Sequence, residues 1–161
     1  YKVIQVSQEI NAPVDSIFSF LGKSSNAPKW SVFVSEIRPL NAEDFLDGSV
    51  GSRRRCYSSQ NRNVQWDELI TEVVPNEKRQ LLIYNLKNFP LTADSLFTEQ
   101  RYRRLPGERC RLTFTVFYKN GHPTWGEALK TYFAAYRIKS IFENNLRNIK
   151  HITEGNHIQK K

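Results

Sequence analysis

The sequence has no methionine, and only two cysteines and three histidines among 161 residues. Each shortage removes a class of protein. Cys56 and Cys110 fall in different predicted strands with no metal spacing, so free, buried thiols in a reducing compartment are expected rather than a disulfide framework. His122, His151 and His157 form neither H-x-x-x-H nor H-E-x-x-H, so no metal site and no cofactor are expected. No serine stands in G-x-S-x-G and no glycine-rich loop could cradle a phosphate, which leaves hydrolytic chemistry little support. No apolar run reaches transmembrane length and no signal peptide is visible, so a cytoplasmic location is expected. A chain that starts at Tyr1 and lacks methionine reads as a fragment or processed product, and a removed anchor or leader fits it equally.

What the sequence does have is aromatic and basic. Ten Phe, seven Tyr and three Trp make up 12% of the residues, which suits a cavity lined by large, partly polar side chains. The formal net charge is +8, concentrated at Arg53-Arg54-Arg55 and again through Arg101, Arg103, Arg104, Arg109 and Arg111. Solubility accounts for this as well as an anionic partner does. Peripheral membrane contact is compatible with it. No basic run coincides with a nucleic-acid motif, so specific nucleic-acid binding is not expected. Oligomeric state is not legible.

The chain length fits one domain, read here as 1–154 followed by a flexible polar tail at 155–161. Residues 1–10 alternate as a strand. Pro13 suits the first position of a short helix, Asp15 its positive N-terminal end, and Ile17, Phe18, Phe20 and Leu21 its apolar face, with an end near Gly22. A second short turn leads to Trp30. Six strand-like segments follow, at 32–40, 51–59, 64–74, 79–86, 95–105 and 109–119, separated by turn signals. A long amphipathic helix then starts at a T-x-x-E capping box, Thr124 to Glu127, and stops at Gly155. Segregated helices with an antiparallel meander define an α+β domain.

Glu9-Ile10-Asn11-Ala12-Pro13-Val14 with Ile17-Phe18, then Trp30, then Asp47-Gly48 to Gly51, resemble the opening of START-like proteins. The segment from Trp66 to Pro75, followed by Arg79 and Tyr84, is similar to that superfamily's central hairpin. The superfamily groups polyketide cyclase/dehydrase-like proteins, pollen-allergen-like proteins, plant hormone receptors and lipid-transfer domains. The resemblance spans residues 2–154. It implies a helix-grip fold: a seven-stranded curved antiparallel sheet around the long C-terminal helix, with two short helices after the first strand. Function does not follow from fold alone.

Strand phase nominates the cavity wall. In the last strand Leu112, Phe114, Val116 and Tyr118 share the inner face. In the preceding one Leu96, Thr98, Gln100 and Tyr102 oppose Glu99, Arg101 and Arg103, which should be wet. The strand at 79–86 places Leu82 and Tyr84 inward. Periodicity leaves 64–74 open, because Trp66, Glu68, Ile70 and Glu72 form one face and Asp67, Leu69, Thr71 and Val73 the other. The resemblance to hormone-receptor members, whose equivalent glutamate faces the pocket, favours Trp66, Glu68 and Ile70 inward. It also turns Arg54, Cys56 and Ser58 inward and Arg53, Arg55 and Tyr57 outward. Arg54 and Glu68 should then meet each other, water or ligand, because unpaired buried charges are costly.

On the long helix, Leu129, Tyr132, Phe133, Tyr136, Ile141, Phe142, Leu146 and Ile149 form a wide apolar stripe. Tyr132, Phe133 and Tyr136 are the candidate ligand contacts on it. Trp30 and Trp125 read as structural. The resemblance puts the loops at 59–63 and 87–94 at the cavity mouth, with Asn88-Phe89-Pro90-Leu91 suited to an entrance lid or to one buried Phe.

Three functions compete. The leading one is binding or carrying a hydrophobic small molecule, such as a lipid, isoprenoid or polyketide-like compound. A second is a cyclase/dehydrase-type enzyme with Glu68 as acid/base and Tyr84 or Tyr118 as donors; Arg54 works against it by stabilising the carboxylate. The third is a protein-interaction module using Arg53, Arg55, Arg101 and Arg103 on the convex face.

Overall fold

Strict alternation in the later strands leaves each with one apolar face. Such strands gain stability only by closing over something apolar, here the long helix. A computed structural model describes residues 2–89, 95–118 and 125–159, with backbone only for 2 and 125–132. The elements run β1 (Lys2–Ile10), α1 (Val14–Gly22), a 3-10 turn (Ser24–Asn26), α2 (Ala27–Trp30), β2 (Val34–Pro39), β3 (Arg53–Ser58), β4 (Gln65–Val74), β5 (Lys78–Lys87), β6 (Leu96–Leu105), β7 (Arg109–Tyr118) and α3 (Trp125–Gln159). All seven strands form one antiparallel sheet in the order β1-β7-β6-β5-β4-β3-β2. The sheet curves around α3, with α1 packed against β6 and α3 and α2 against β2 and α3. This is the expected α+β helix-grip architecture.

At 35 residues, α3 is roughly 50 Å long at about 1.5 Å per residue. It does not stop at Gly155, as the sequence led us to expect, but continues to Gln159. One interior glycine costs a helix only about 1 kcal/mol, and the C-terminal half of α3 is held from outside. Lys150 Nζ donates to the Glu9 carbonyl at 3.0 Å, and Glu154 Oε1 accepts the Asn11 amide at 2.8 Å. The expected capping box at Thr124 and Glu127, the side chain of Trp125 and the lid residues Pro90-Leu91 lie outside the described residues.

The core divides into two. Ile10, Ile17, Leu112, Leu146 and Ile149, all fully buried, pack solidly between α1, β7 and the C-terminal half of α3. Each contributes about 1.5–3 kcal/mol by burial. The second cluster, Cys56, Trp66, Ile83, Leu96, Val116, Tyr118 and Ala134, surrounds open space under the other half of the helix. Phe142 touches both clusters. The sheet is therefore filled at one end and hollow at the other.

One strand phase differs from the expectation. Leu81 and Ile83, not Leu82 and Tyr84, are buried on the inner face of β5. Register explains why Leu82 tolerates the outside. Val3, Phe117, Phe97, Leu82 and Leu69 are successive cross-strand partners from β1 to β4. They form an apolar row on the convex face, where cross-strand packing supplies part of what burial would. Tyr84 pairs with Asp67 on that same face. Asn85 follows at φ 51°, and its Nδ2 reaches Asp67 Oδ2 at 2.9 Å.

The expectation that Glu99 is wet also fails: it is buried on the convex face, where Arg101 Nε donates to it at 2.6 Å. Long neighbouring side chains can bury an acid on a sheet's outer face as well as a helix can.

Candidate functional site

The open space is a cavity of about 150 Å³ between the sheet and α3. An apolar cavity of about that size holds one benzene-sized guest. A larger guest would have to extend through the mouth. The wall is mainly apolar. Phe114 and Val116 come from β7, Leu96 and Thr98 from β6, Leu81 and Ile83 from β5, and Ala134, Ile138, Ile141 and Phe142 from α3.

An aromatic group closes one side. Phe33 stacks on Trp66 with centroids 5.2 Å apart, and Phe89 meets both edge-on at 6.0 and 5.5 Å. On another side Trp30 lies edge-on to Phe114. At the mouth Arg137 of α3 donates to Gln60 in the 59–63 loop, joining helix and loop. Two α3 asparagines fix the short-helix region: Asn145 Oδ1 accepts the Val32 amide at 2.8 Å, and Asn148 Nδ2 donates to the Trp30 carbonyl at 3.1 Å.

The polar part of the wall is a chain of hydrogen bonds starting in a surface loop. Gly48, at φ 81°, brings the loop so close that an added Cβ would lie 2.4 Å from the Gly22 carbonyl oxygen. Asp47 is thereby placed to accept both the amide and the hydroxyl of Ser24. Ser24 Oγ accepts from Arg54 Nη1 at 2.9 Å. Arg54 Nε donates to Glu68 Oε2 at 2.7 Å, and Glu68 Oε1 accepts the Trp66 indole at 3.0 Å.

Burial by itself would lower the pKa of Arg54, but Glu68 beside it leaves the guanidinium raised above its ordinary value. Burial, with Glu68 adding to it, pushes the Cys56 thiol well up. The arrangement is a fixed, paired cation and anion facing an apolar space, with both carboxylate oxygens already engaged. Among the described residues no group of three His, Cys, Asp or Glu could hold a metal ion.

Not all of the nominated residues reach the wall. Arg54, Trp66, Glu68, Thr98, Gln100, Phe114 and Val116 line the cavity. Cys56, Ile70, Tyr102 and Tyr118 are buried, with Tyr102 in the solid cluster and Cys56 and Tyr118 in the cluster around the cavity. Leu82 and Tyr84 are on the convex face. Phe133 and Tyr136 are 64% and 71% exposed, so the structure removes them from the wall. The side chain of Tyr132 lies outside the described residues. The buried face of α3 instead passes through Ala134, Ile138, Asn145 and Leu146, one residue and about 100° of rotation away from Phe133.

The sequence reading missed Phe33, Leu81, Ile83, Ile138 and Asn145, and gave Trp30 no place at the cavity. Asn145 could have been noticed as a polar residue on an apolar helical face, where a partner is required.

A curved antiparallel sheet gripping a long helix over a mainly apolar cavity defines the helix-grip class. The family model described as "Polyketide cyclase / dehydrase and lipid transport" matches residues 2–154, and the chain belongs to that family. Solved structures agree in fold. Protein XoxI from Bacillus cereus is 12% identical with a TM-score of 0.70, covering 95% of this chain and 96% of that one. A protein from Nitrosomonas europaea is 10% identical with a TM-score of 0.70, covering 96% and 95%. The di-domain ARO/CYC BexL from the BE-7585A biosynthetic pathway is 11% identical with a TM-score of 0.71, covering 94% of this chain and 46% of that one. No curated protein matches this chain. No helix among the described residues is long and apolar enough to cross a membrane.

Proposed function

We propose that the protein binds or carries a hydrophobic small molecule in the cavity between sheet and α3. The observation that carries this reading is the hollow second core. An apolar, aromatic-walled space has been left where close packing would add stability, since interiors normally keep few voids larger than water. The family's description, which couples cyclase/dehydrase chemistry with lipid transport, supports the same reading. The volume favours a single ring or a short acyl chain within the cavity, with a longer isoprenoid or polyketide-like compound reaching through the mouth near Gln60 and Arg137.

The geometry gives the enzymatic alternative less support. Glu68 holds both its oxygens on donors, so proton transfer would first have to break a buried ion pair. Tyr84, one of its two nominated donors, faces away. The basic convex face also supports a charged docking role less than the sequence did. Of the four nominated cations, Arg53, Arg55, Arg101 and Arg103, two are already committed: Arg55 pairs with Asp67 and Arg101 with Glu99. Native mass spectrometry of the purified protein should show a co-purifying small apolar molecule, or uptake of an added medium-chain compound. An empty protein that takes up none of a panel of such compounds would end the carrier reading.

A further inference from the structure

Among the described residues Arg79 is the one buried arginine, and it lacks an acid partner. It is 4% exposed, and no carboxylate among the described residues forms an ion pair with it. Its two side-chain hydrogen bonds are long and go to neutral acceptors: Nη1 donates to Gln100 Oε1 and to Tyr102 Oη, each at 3.3 Å. Nε has no hydrogen-bond partner. The guanidinium carbon lies 4.5 Å over the Phe18 ring, and an added Cβ on Gly22 would come within 3.0 Å of Nη2. Those two contacts close the group in from the α1 side. Burial holds its pKa below the ordinary arginine value, with the positive charge of Arg54 adding to that effect.

A buried cation with two weak acceptors and an unpartnered Nε–H is expensive, and a native fold usually provides an anion for it. Arg54, a strand away, has Glu68. Arg79 has Gln100, which lines the cavity, while Arg79 and Tyr102 stand directly behind it, off the wall and reached only where Gln100 gives way. The Gln100 carbonyl oxygen, which accepts from both Arg79 and Tyr102 (2.7 Å from the latter), stands where an anionic oxygen would be bound best. A second donor points to the same kind of guest: Trp30 lines the cavity and its buried indole N–H has no partner. The idle polar atoms of these two residues are donors.

We infer that the ligand of the cavity is an amphipathic carboxylate. Its head would displace the Gln100 carbonyl oxygen to bind Arg79 and Tyr102, and its apolar tail would lie against Phe114, Val116 and α3. This rests on the carrier reading above and adds the charge and size of the head group. A single guanidinium flanked by one phenol suits a monoanion and bidentate pairing. A phosphate dianion would call for a second buried, free cation: Arg54 is committed to Glu68, and Lys23 and Arg137, which also line the cavity, are exposed at its rim.

The test is calorimetric titration of the whole protein with three probes that share one tail: octanoate, octanol and octyl phosphate. Octanoate should bind about tenfold or more tightly than octanol at neutral pH, the usual advantage of a charge-assisted hydrogen bond. Arg79→Met should abolish that preference while leaving octanol binding in place. Gln100→Ala, which removes the competing oxygen, should strengthen octanoate and not octanol. Equal binding of octanoate and octanol by the wild type overturns the carboxylate assignment but leaves the carrier reading standing. Tighter binding of octyl phosphate than octanoate also overturns it. Failure of all three probes to bind counts against both. The wild-type comparison needs no variant, so it decides the matter even if Arg79→Met does not fold.

Discussion

Arg54 and Glu68 stand directly opposite each other on β3 and β4, and their side chains meet at 2.7 Å in the cavity wall with only 13% and 12% of their surfaces exposed. Removing one member leaves the other as an uncompensated charge in an apolar surrounding, which costs more than the pair itself is worth. Glu68→Gln should therefore destabilise the protein by about 3 kcal/mol. The double replacement Arg54→Met, Glu68→Leu should return it to within about 1 kcal/mol of the wild type. Urea denaturation of the three proteins measures both. A Glu68→Gln protein as stable as the wild type would show that the pair is solvated and not part of a buried wall.

The opposite faces of β5 give a second contrast. Leu81→Ala removes a buried side chain from the cavity wall and should cost about 3 kcal/mol. Leu82→Ala trims the convex row and should cost about 1 kcal/mol or less. Denaturation midpoints in the reverse order would restore the phase in which Leu82 and Tyr84 point inward.

That phase was hard to read for a physical reason. Leu81-Leu82-Ile83 offers an apolar residue to either face, and the true inner phase carries Arg79, a charge that periodicity assigns to solvent. The strand β7 was less ambiguous, because Leu112, Phe114, Val116 and Tyr118 alternate with Thr113, Thr115, Phe117 and Lys119, of which only Phe117 is apolar. In β4 each face carries an acid, and all three acids of the strand are in fact paired: Glu68 inside with Arg54, Asp67 outside with Arg55, and Glu72 with Lys78. Only the family resemblance could choose between them. On α3 apolar character and burial do not coincide. Phe133 and Tyr136 are exposed while Asn145 and Thr153 are buried, since these two satisfy their polar atoms locally, with the Val32 amide and the Ile149 carbonyl. The fold was legible because it depends on many residues at once, whereas the wall depends on one phase per strand.

Asp67 makes stability depend on pH. Burial alone would raise its pKa, but hydrogen bonds from Arg55 and Asn85 outweigh this and hold it below the usual 3.8. The folded pKa therefore lies below the unfolded one, so the unfolded chain binds the proton more readily. The stabilisation is complete above the unfolded pKa and disappears as pH falls through the folded one. Asp67→Asn should be less stable than the wild type at about pH 7 and should lose less stability on going to about pH 3. Parallel losses in the two proteins would mean that Asp67 contributes nothing to the acid limb.

The two cysteines should be chemically silent. Burial pushes Cys110 up to about 11, and Cys56 is raised well above its ordinary value by burial with Glu68 adding to it. Since the thiolate is the reacting species, both should react with a disulfide reagent such as DTNB about a hundredfold more slowly in the native protein than in urea. Rapid modification of one thiol under native conditions would show that its surroundings open readily.

Filling the cavity should separate binding from folding. Thr98 sits in the middle of β6, paired with Leu81 and Val116, and its side chain faces the open space. In a close-packed core, extra bulk at such a position strains its neighbours at a cost of about 1–3 kcal/mol. Here the bulk enters space that is already empty, so Thr98→Trp should keep the melting temperature within a few degrees of the wild type. It should weaken uptake of a medium-chain apolar compound by about tenfold or more, because the guest would have to displace the indole. Thr113→Trp, which adds the same bulk to the convex face of β7, should leave uptake unchanged. If Thr98→Trp binds as the wild type does, the guest lies elsewhere; if it unfolds the protein, the space is tighter than its volume implies. Only retained folding with lost uptake agrees with a hollow core kept open for a ligand.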